Sequence, residues 1–176
     1  MNHRRRFSCL LFTLFLTASG LFQSAFGNEG FSGTWATNSQ RSSALDPFRR
    51  VVLEIEVQGS MVTISEKHDA GRRNSTEVYE LDTRKDVNVI PITWWSANRH
   101  IGAFIGGDKT KRMHAEWIDE GKTLKVTSEF VVETSQSETP VRTYAEYRLS
   151  NDEQRITRIE IRSTRDLPIV HVYERQ

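Results

Sequence analysis

Apolar side chains recur at every second position along most of this chain, and that period restricts what it can fold into. Val51, Leu53, Ile55 and Val57 alternate with Val52, Glu54, Glu56 and Gln58. Successive residues of a strand point to opposite faces, so this pattern describes a strand buried on one side. Gly59-Ser60 supplies a tight turn, and Val62 and Ile64 resume the apolar face, a hairpin signature. The alternation returns in Thr76–Leu81, in Met113, Ala115 and Trp117, and in Leu124, Val126, Ser128, Phe130 and Val132. It continues through Val141, Thr143, Ala145, Tyr147 and Leu149, then Ile156, Ile159 and Ile161, and ends in a last strand over about Ile169 to Glu174. Asp119-Glu120-Gly121-Lys122 and Asn151-Asp152-Glu153-Gln154 are the turns between them. No stretch after the first 27 residues shows a 3.6-residue period, so there are no crossover helices to build a parallel sheet. The expectation is an all-β, antiparallel up-and-down meander of about eight to ten strands, closed as a barrel or paired as a sandwich.

The first 27 residues read differently. Arg4, Arg5 and Arg6 precede an uncharged, mostly apolar run from Phe7 to Phe22, and Ala25-Phe26-Gly27 places small residues at the −3 and −1 positions of a secretory cleavage site. A retained membrane anchor is the competing reading. The run is short against the roughly 20 residues a spanning helix needs, and Thr13, Thr17 and Ser19 interrupt it. The expectation is a signal peptide over 1–27 and one domain over 28–176, secreted or periplasmic, with no stable membrane insertion after cleavage. Cys9, the only cysteine, falls in the leader, so no disulfide holds the domain; a closed sheet, which leaves no open edge, is one remedy. Without the leader's three arginines, 21 basic residues face 23 acidic ones, a balance that points away from nucleic acid.

Two stretches break the rhythm. Asn38 to Phe48 joins the first strand to the second through Asp46-Pro47. Pro91 to Asp108 spans 18 residues and carries Trp94, Trp95, His100, Phe104 and Gly106-Gly107. Irregular runs of that length are often binding loops or lids; the alternative is an extra strand whose tryptophans plug an apolar gap.

Phe31-Ser32-Gly33-Thr34-Trp35 opens the meander. A Gly-x-Trp on the first strand of such a series resembles the calycins, which include the lipocalins, the fatty-acid-binding proteins and bacterial lipocalin-like secreted domains. The resemblance implies a lipocalin-like barrel in which Gly33 permits close backbone approach and Trp35 closes one end. It also implies an arginine from near the last strands packed on that indole, with Arg158, Arg162 and Arg165 as candidates. Val170-His171-Val172-Tyr173-Glu174-Arg175 is similar to the closing strand of fatty-acid-binding proteins, where Arg-x-Tyr grips a ligand carboxylate. His171 stands at the arginine position and Tyr173 at the tyrosine position. Alternation puts both on the face of Ile169, inward on one reading; a one-residue slip would turn Val170 and Val172 inward instead. Asn38 to Phe48 is too short for the helix pair of fatty-acid-binding proteins, so the likeness is nearer to bacterial lipocalin-like domains without that lid.

Catalytic patterns are scarce. Gly102 to Thr110 approaches a phosphate-binding loop, but Asp108 occupies the required lysine position and would repel phosphate. There is no G-x-S-x-G or H-E-x-x-H motif, and His68, His100, His114 and His171 lack metal-ligand spacing. His114 reads as an outer-face histidine, and Glu54 and Glu56 as solubilising charges. Asn74-Ser75-Thr76 is a glycosylation sequon on an exposed turn. An enzyme would need a buried His171–Tyr173 pair with a perturbed pKa in an open cavity. No cofactor and no metal is expected. The function expected is that of a binding module enclosing a small apolar or amphipathic ligand, touched by His171, Tyr173, Trp94 and Trp95. The alternative is a filled barrel that serves as a structural or protein-interaction module.

Overall fold

Eleven antiparallel strands run through the residues that the computed structural model describes, which are 27–43, 48–71, 74–95 and 104–176. Residues 1–26, where a signal peptide is expected, the Asp46-Pro47 and Arg72-Arg73 turns, Arg99 and His100 lie outside them. The strands are β1 (Gly33–Thr37), β2 (Arg50–Gln58), β3 (Met61–Asp69), β4 (Asn74–Asp82), β5 (Asn88–Pro91) and β6 (Phe104–Ile105), then β7 (Thr110–Ile118), β8 (Thr123–Glu133), β9 (Glu138–Leu149), β10 (Arg155–Arg162) and β11 (Arg165–Arg175). The ladder order is β4-β3-β2-β1-β11-β10-β9-β8-β7-β5, with β6 continuing the edge beside β8. The up-and-down meander expected from the alternation is therefore the fold, as a nearly closed barrel consistent with a calycin-like architecture. The strand count exceeds the expected eight to ten because β5 and β6 are short pieces, β5 ending at Pro91 and β6 lying within the Pro91–Asp108 stretch.

Strand bounds and facing differ from the sequence expectation in two places. The last strand starts at Arg165, four residues before Ile169, because its polar first half pairs with the end of β10. Ile159 and Ile161 do not share the face of Ile156; Ile156 points inward and Ile161 is 53% exposed. The inward set of β10 is Ile156, Arg158, Glu160 and Arg162, so its charged positions face the interior. The Asn38–Phe48 link is tied to the sheet: the amides of Asn38 and Ser43 donate to the carbonyls of Val172 and Val170 on β11.

One end of the barrel is closed by packing. Phe31, Trp35, Leu53, Leu81, Leu124 and Ile156 sit there in one apolar cluster, fully or almost fully buried. Phe31 meets Trp117 edge-on with ring centroids 5.0 Å apart. Trp35 donates from Nε1 to the Phe31 carbonyl at 2.9 Å, and Arg175 lies over the indole, 4.0 Å from its centroid. The arginine on Trp35 is thus its cross-strand partner in the β1–β11 ladder and none of Arg158, Arg162 and Arg165. Arg175 then donates to the carbonyls of Ser32 at 2.9 Å and Gly30 at 2.6 Å. Gly33, at φ +141°, makes room: a Cβ there would stand 2.7 Å from the Arg175 guanidinium.

The ladder stops between β4 and the β5–β7 edge. Side chains bridge that seam. Asn88 accepts from the Asp82 amide at 2.9 Å and donates to the carbonyls of Asp82 at 3.2 Å and Met113 at 3.4 Å. Farther along the seam, Lys111 of β7 reaches Tyr79 of β4.

Candidate functional site

Above the apolar floor the inward faces change character. On β3 the series Val62, Ile64 continues as Glu66 and His68; on β4, Glu77 precedes Tyr79; on β7, Lys111 precedes Met113; β10 supplies Arg158, Glu160 and Arg162. Glu66, Glu77, Lys111 and Arg158 keep the register of Ile64, Tyr79, Met113 and Ile156, and Glu160 and Arg162 continue that of Arg158, so the same alternation that fills the core carries six charges into the barrel. A second apolar cluster, Trp95, Ile105, Phe130, Val132 and Val141, lies beyond them.

Two circuits organise the charges. In the first, Arg158 donates from Nη1 to Glu66 at 3.0 Å and from Nη2 to Glu160, while Arg162 donates from Nε to Glu160. His68 Nε2 stands 3.4 Å from Glu66. Arg158 also lies over the Tyr147 ring and Arg162 over that of Trp95, both at just over 5 Å. In the second, Lys111 donates from Nζ to the Tyr79 hydroxyl at 3.1 Å, and that hydroxyl donates to Glu77. The Lys111 ammonium also faces the rings of Tyr79 and Phe130, at 4.5 and 5.3 Å.

Burial alone would raise both carboxyls of the first circuit. Arg158, helped by His68, outweighs it and holds Glu66 well below the ordinary range, and Arg158 with Arg162 lowers Glu160. Glu77 goes the other way: burial, reinforced by the charge of Glu66, pushes it up. Burial pulls the Lys111 ammonium down against the attraction of Glu77 and Glu160. The phenols of Tyr79, Tyr147 and Tyr173 are all raised, chiefly by burial, and so stay neutral; the Tyr79 hydroxyl is the one that donates to Glu77.

Between the circuits lies a cavity of about 40 Å³, lined by Glu66, Glu77, Tyr79, Trp95, Lys111 and Arg158 among others. That is room for one water or a group slightly larger. The hydroxyls of Ser128 and Thr143, paired at 2.7 Å, form part of its wall.

Of the four residues singled out as ligand contacts, Trp95 lines this cavity, and Trp94, His171 and Tyr173 are not part of its lining. Tyr173 is fully buried, and His171, half-buried beside it, stacks on its ring with centroids 5.9 Å apart. Their face is the inner one. Trp95 is buried against Phe130 and lines the cavity, whereas Trp94 is half-buried with its ring 5.6 Å from that of His68, which Phe48 flanks on another side. Sequence reading missed Glu66, Glu77, Lys111, Arg158, Glu160 and Arg162. Their register relative to Ile64, Tyr79, Met113 and Ile156 was the available signal.

A larger groove, about 490 Å³, crosses the outer surface of β7–β10. Arg112, Glu129 and Arg142 face one another across its strands, with Tyr144 and the exposed Ile161 alongside. His114 lies at its edge and contacts the carbonyls of Lys85 and Asp86, so it faces outward. No protein-family model matches the chain, and no curated protein matches its sequence significantly.

Proposed function

We propose that this protein is an exported binding module, and that its barrel receives a small amphipathic ligand whose polar head enters the charged chamber. The observation that carries this reading is the chamber itself: six ionisable side chains gathered around a cavity in the middle of a barrel. Buried ion pairs are poor stabilisers, since apolar residues of similar volume often serve stability as well or better. Perturbed, buried charges beside a cavity are a signature of functional sites. The charged lining favours an amphipathic ligand over a purely apolar one, because an apolar group would leave those charges without compensation. Trp95, from the Pro91–Asp108 region, lines the chamber, and Trp94 lies against His68, so a tail would leave past them. His171 and Tyr173 flank the head.

Native mass spectrometry tests the reading, with tryptophan fluorescence as a second readout because Trp95 stacks on Arg162. The purified protein is titrated with octanoate, octylamine and octyl glucoside, which share a chain and differ in head group. One bound molecule per chain and a shift in fluorescence are expected for at least one probe. Unliganded mass and unchanged fluorescence with all three would reject the reading. The filled-barrel alternative would then stand; the small cavity and the outer groove near Ile161 favour it.

A further inference from the structure

Three carboxylates, Glu66, Glu77 and Glu160, balance the three cations Lys111, Arg158 and Arg162 around the chamber. A charged head group would upset that balance, so the chamber suits a neutral polar group. Lys111 differs from the arginines in its chemistry: a guanidinium stays protonated, whereas a lysine that gives up its proton is a nucleophile. Its Nζ stands 3.1 Å from the Tyr79 hydroxyl, which donates in turn to Glu77. Amine, phenol and carboxyl thus form one line along which a proton can pass. Burial and Arg158 favour the free amine, while Glu77, Glu160 and Glu66 favour the ammonium; burial is the largest influence and lowers the pKa. The cavity of about 40 Å³ lies against Lys111 and Tyr79, with Trp95, Ser128 and Thr143 among its other walls. One hydroxyl of the Ser128–Thr143 pair donates to the other, and the second O–H remains a donor. Lys111 also stands at the seam between β4 and β7, where no backbone ladder joins the strands, so the cavity adjoins a break in the barrel wall.

We propose that Lys111 condenses with an aldehyde to form an imine inside the barrel, with Tyr79 relaying protons beside it and Glu77 holding the proton between steps. This rests on the barrel admitting a ligand, and it assigns the head group as a neutral carbonyl. The ammonium proton passes through the Tyr79 hydroxyl to Glu77 and leaves an amine. The nitrogen lone pair attacks the carbonyl carbon, and the C=O pair moves onto oxygen, which takes a proton from Tyr79; the nitrogen returns one to the phenolate. The proton held on Glu77 then goes back through Tyr79 to the carbinolamine hydroxyl. That group leaves as water while the nitrogen pair closes the C=N bond. The sum is ammonium plus aldehyde giving protonated imine plus water, with Glu77 ionised again as the counter-ion and nothing oxidised or reduced. A cavity this small takes a short aldehyde whole, or the carbonyl end of a longer one whose chain runs past Trp95.

Reductive trapping tests this in the unaltered protein. The protein is incubated with acetaldehyde or octanal and cyanoborohydride, which reduces an imine to a stable amine, and adducts are located by peptide mass mapping. The expected adduct adds the aldehyde's mass less its oxygen, on Lys111 ahead of the exposed Lys67, Lys85 and Lys122. Acetaldehyde labelling Lys111 as fast as octanal assigns the site to short aldehydes; faster labelling by octanal assigns it to chain-bearing ones. Tyr79→Phe should slow labelling of Lys111 by about 100-fold, the low end of what a positioned proton donor supplies, and leave Lys67 and Lys85 unchanged. Glu77→Gln should shift the pH profile of Lys111 labelling and not that of the exposed lysines. Unchanged labelling in both variants overturns the proton path, and the map of the unaltered protein decides the imine itself even if a variant fails to fold. Octanol, which cannot condense, is the control. Its retention in native mass spectrometry, with no Lys111 adduct from either aldehyde, overturns the imine and leaves the binding module standing. Labelling confined to exposed lysines, with octanol not retained, removes both.

Discussion

Trp35 and Arg175 show how much one end of the barrel depends on a few contacts. The indole is wholly buried, its nitrogen is satisfied by the Phe31 carbonyl, and one face is covered by a guanidinium that is itself tied to two carbonyls. Removing the ring leaves a cavity and strands Arg175 above it. Trp35→Ala should cost about 3–5 kcal/mol in a denaturant titration, the usual range for truncating a core aromatic; a loss under about 1 kcal/mol would mean that the floor repacks without it. Gly33→Ala should also destabilise, because the new methyl meets the guanidinium and the backbone there has positive φ. Its signature differs from that of the tryptophan variant: adding Arg175→Ala should recover part of the loss by removing the clash.

At the scale of the strand, β10 decides the chemistry of the interior. Its inward positions after Ile156 are Arg158, Glu160 and Arg162, and Glu160 is held by both arginines. Glu160→Gln leaves two guanidiniums facing a neutral amide in a buried site, and breaking such a pair on one side costs about 3–5 kcal/mol. Exchanging the inward charges of the circuit together, Glu66→Leu and Glu160→Leu with Arg158→Met and Arg162→Met, should be far less harmful than the single change. Urea unfolding of the two variants compares them directly, and a quadruple variant weaker than Glu160→Gln would contradict the argument.

The same strand explains what could be read from the sequence and what could not. Hairpins such as β2–β3 are plain, since Gly59-Ser60 separates two runs whose apolar residues keep one parity. The closing strand is legible too, because Ile169, His171 and Tyr173 share a face. On β10 the apolar residues occupy both parities: Ile156 is inward, while Ile159 and Ile161 are outward. A reading that follows hydrophobicity then picks the wrong set, and the buried charges pass for a solvated face. Glu66 and Glu77 were hidden by the same rule. The Trp35 partner was misplaced for another reason: cross-strand register puts Arg175 opposite Trp35, and register is a property of the paired sheet that no single strand displays.

For the whole molecule, the chamber couples stability to pH in two opposing ways. Glu66 and Glu160 have folded pKa values below their unfolded ones. Their contribution is fully present above the ordinary glutamate value of about 4.3 and is lost as pH falls through the lowered folded values. Glu77 is raised, so its contribution is present below about 4.3 and is lost as pH rises through its folded value. Stability should therefore fall steeply on the acid side, where two carboxylates act together, and decline more gently from mildly acid pH upward, where Glu77 ionises. Glu77→Gln separates the two limbs. It keeps a hydrogen-bonding group beside Tyr79 but cannot ionise, so the upper decline should flatten while the acid limb remains. Urea midpoints measured from pH 3 to pH 9 for both proteins give the comparison. An upper limb that persists in Glu77→Gln would assign it to another group, and an acid limb that disappears would mean that Glu77, not the Arg158 circuit, governs acid unfolding.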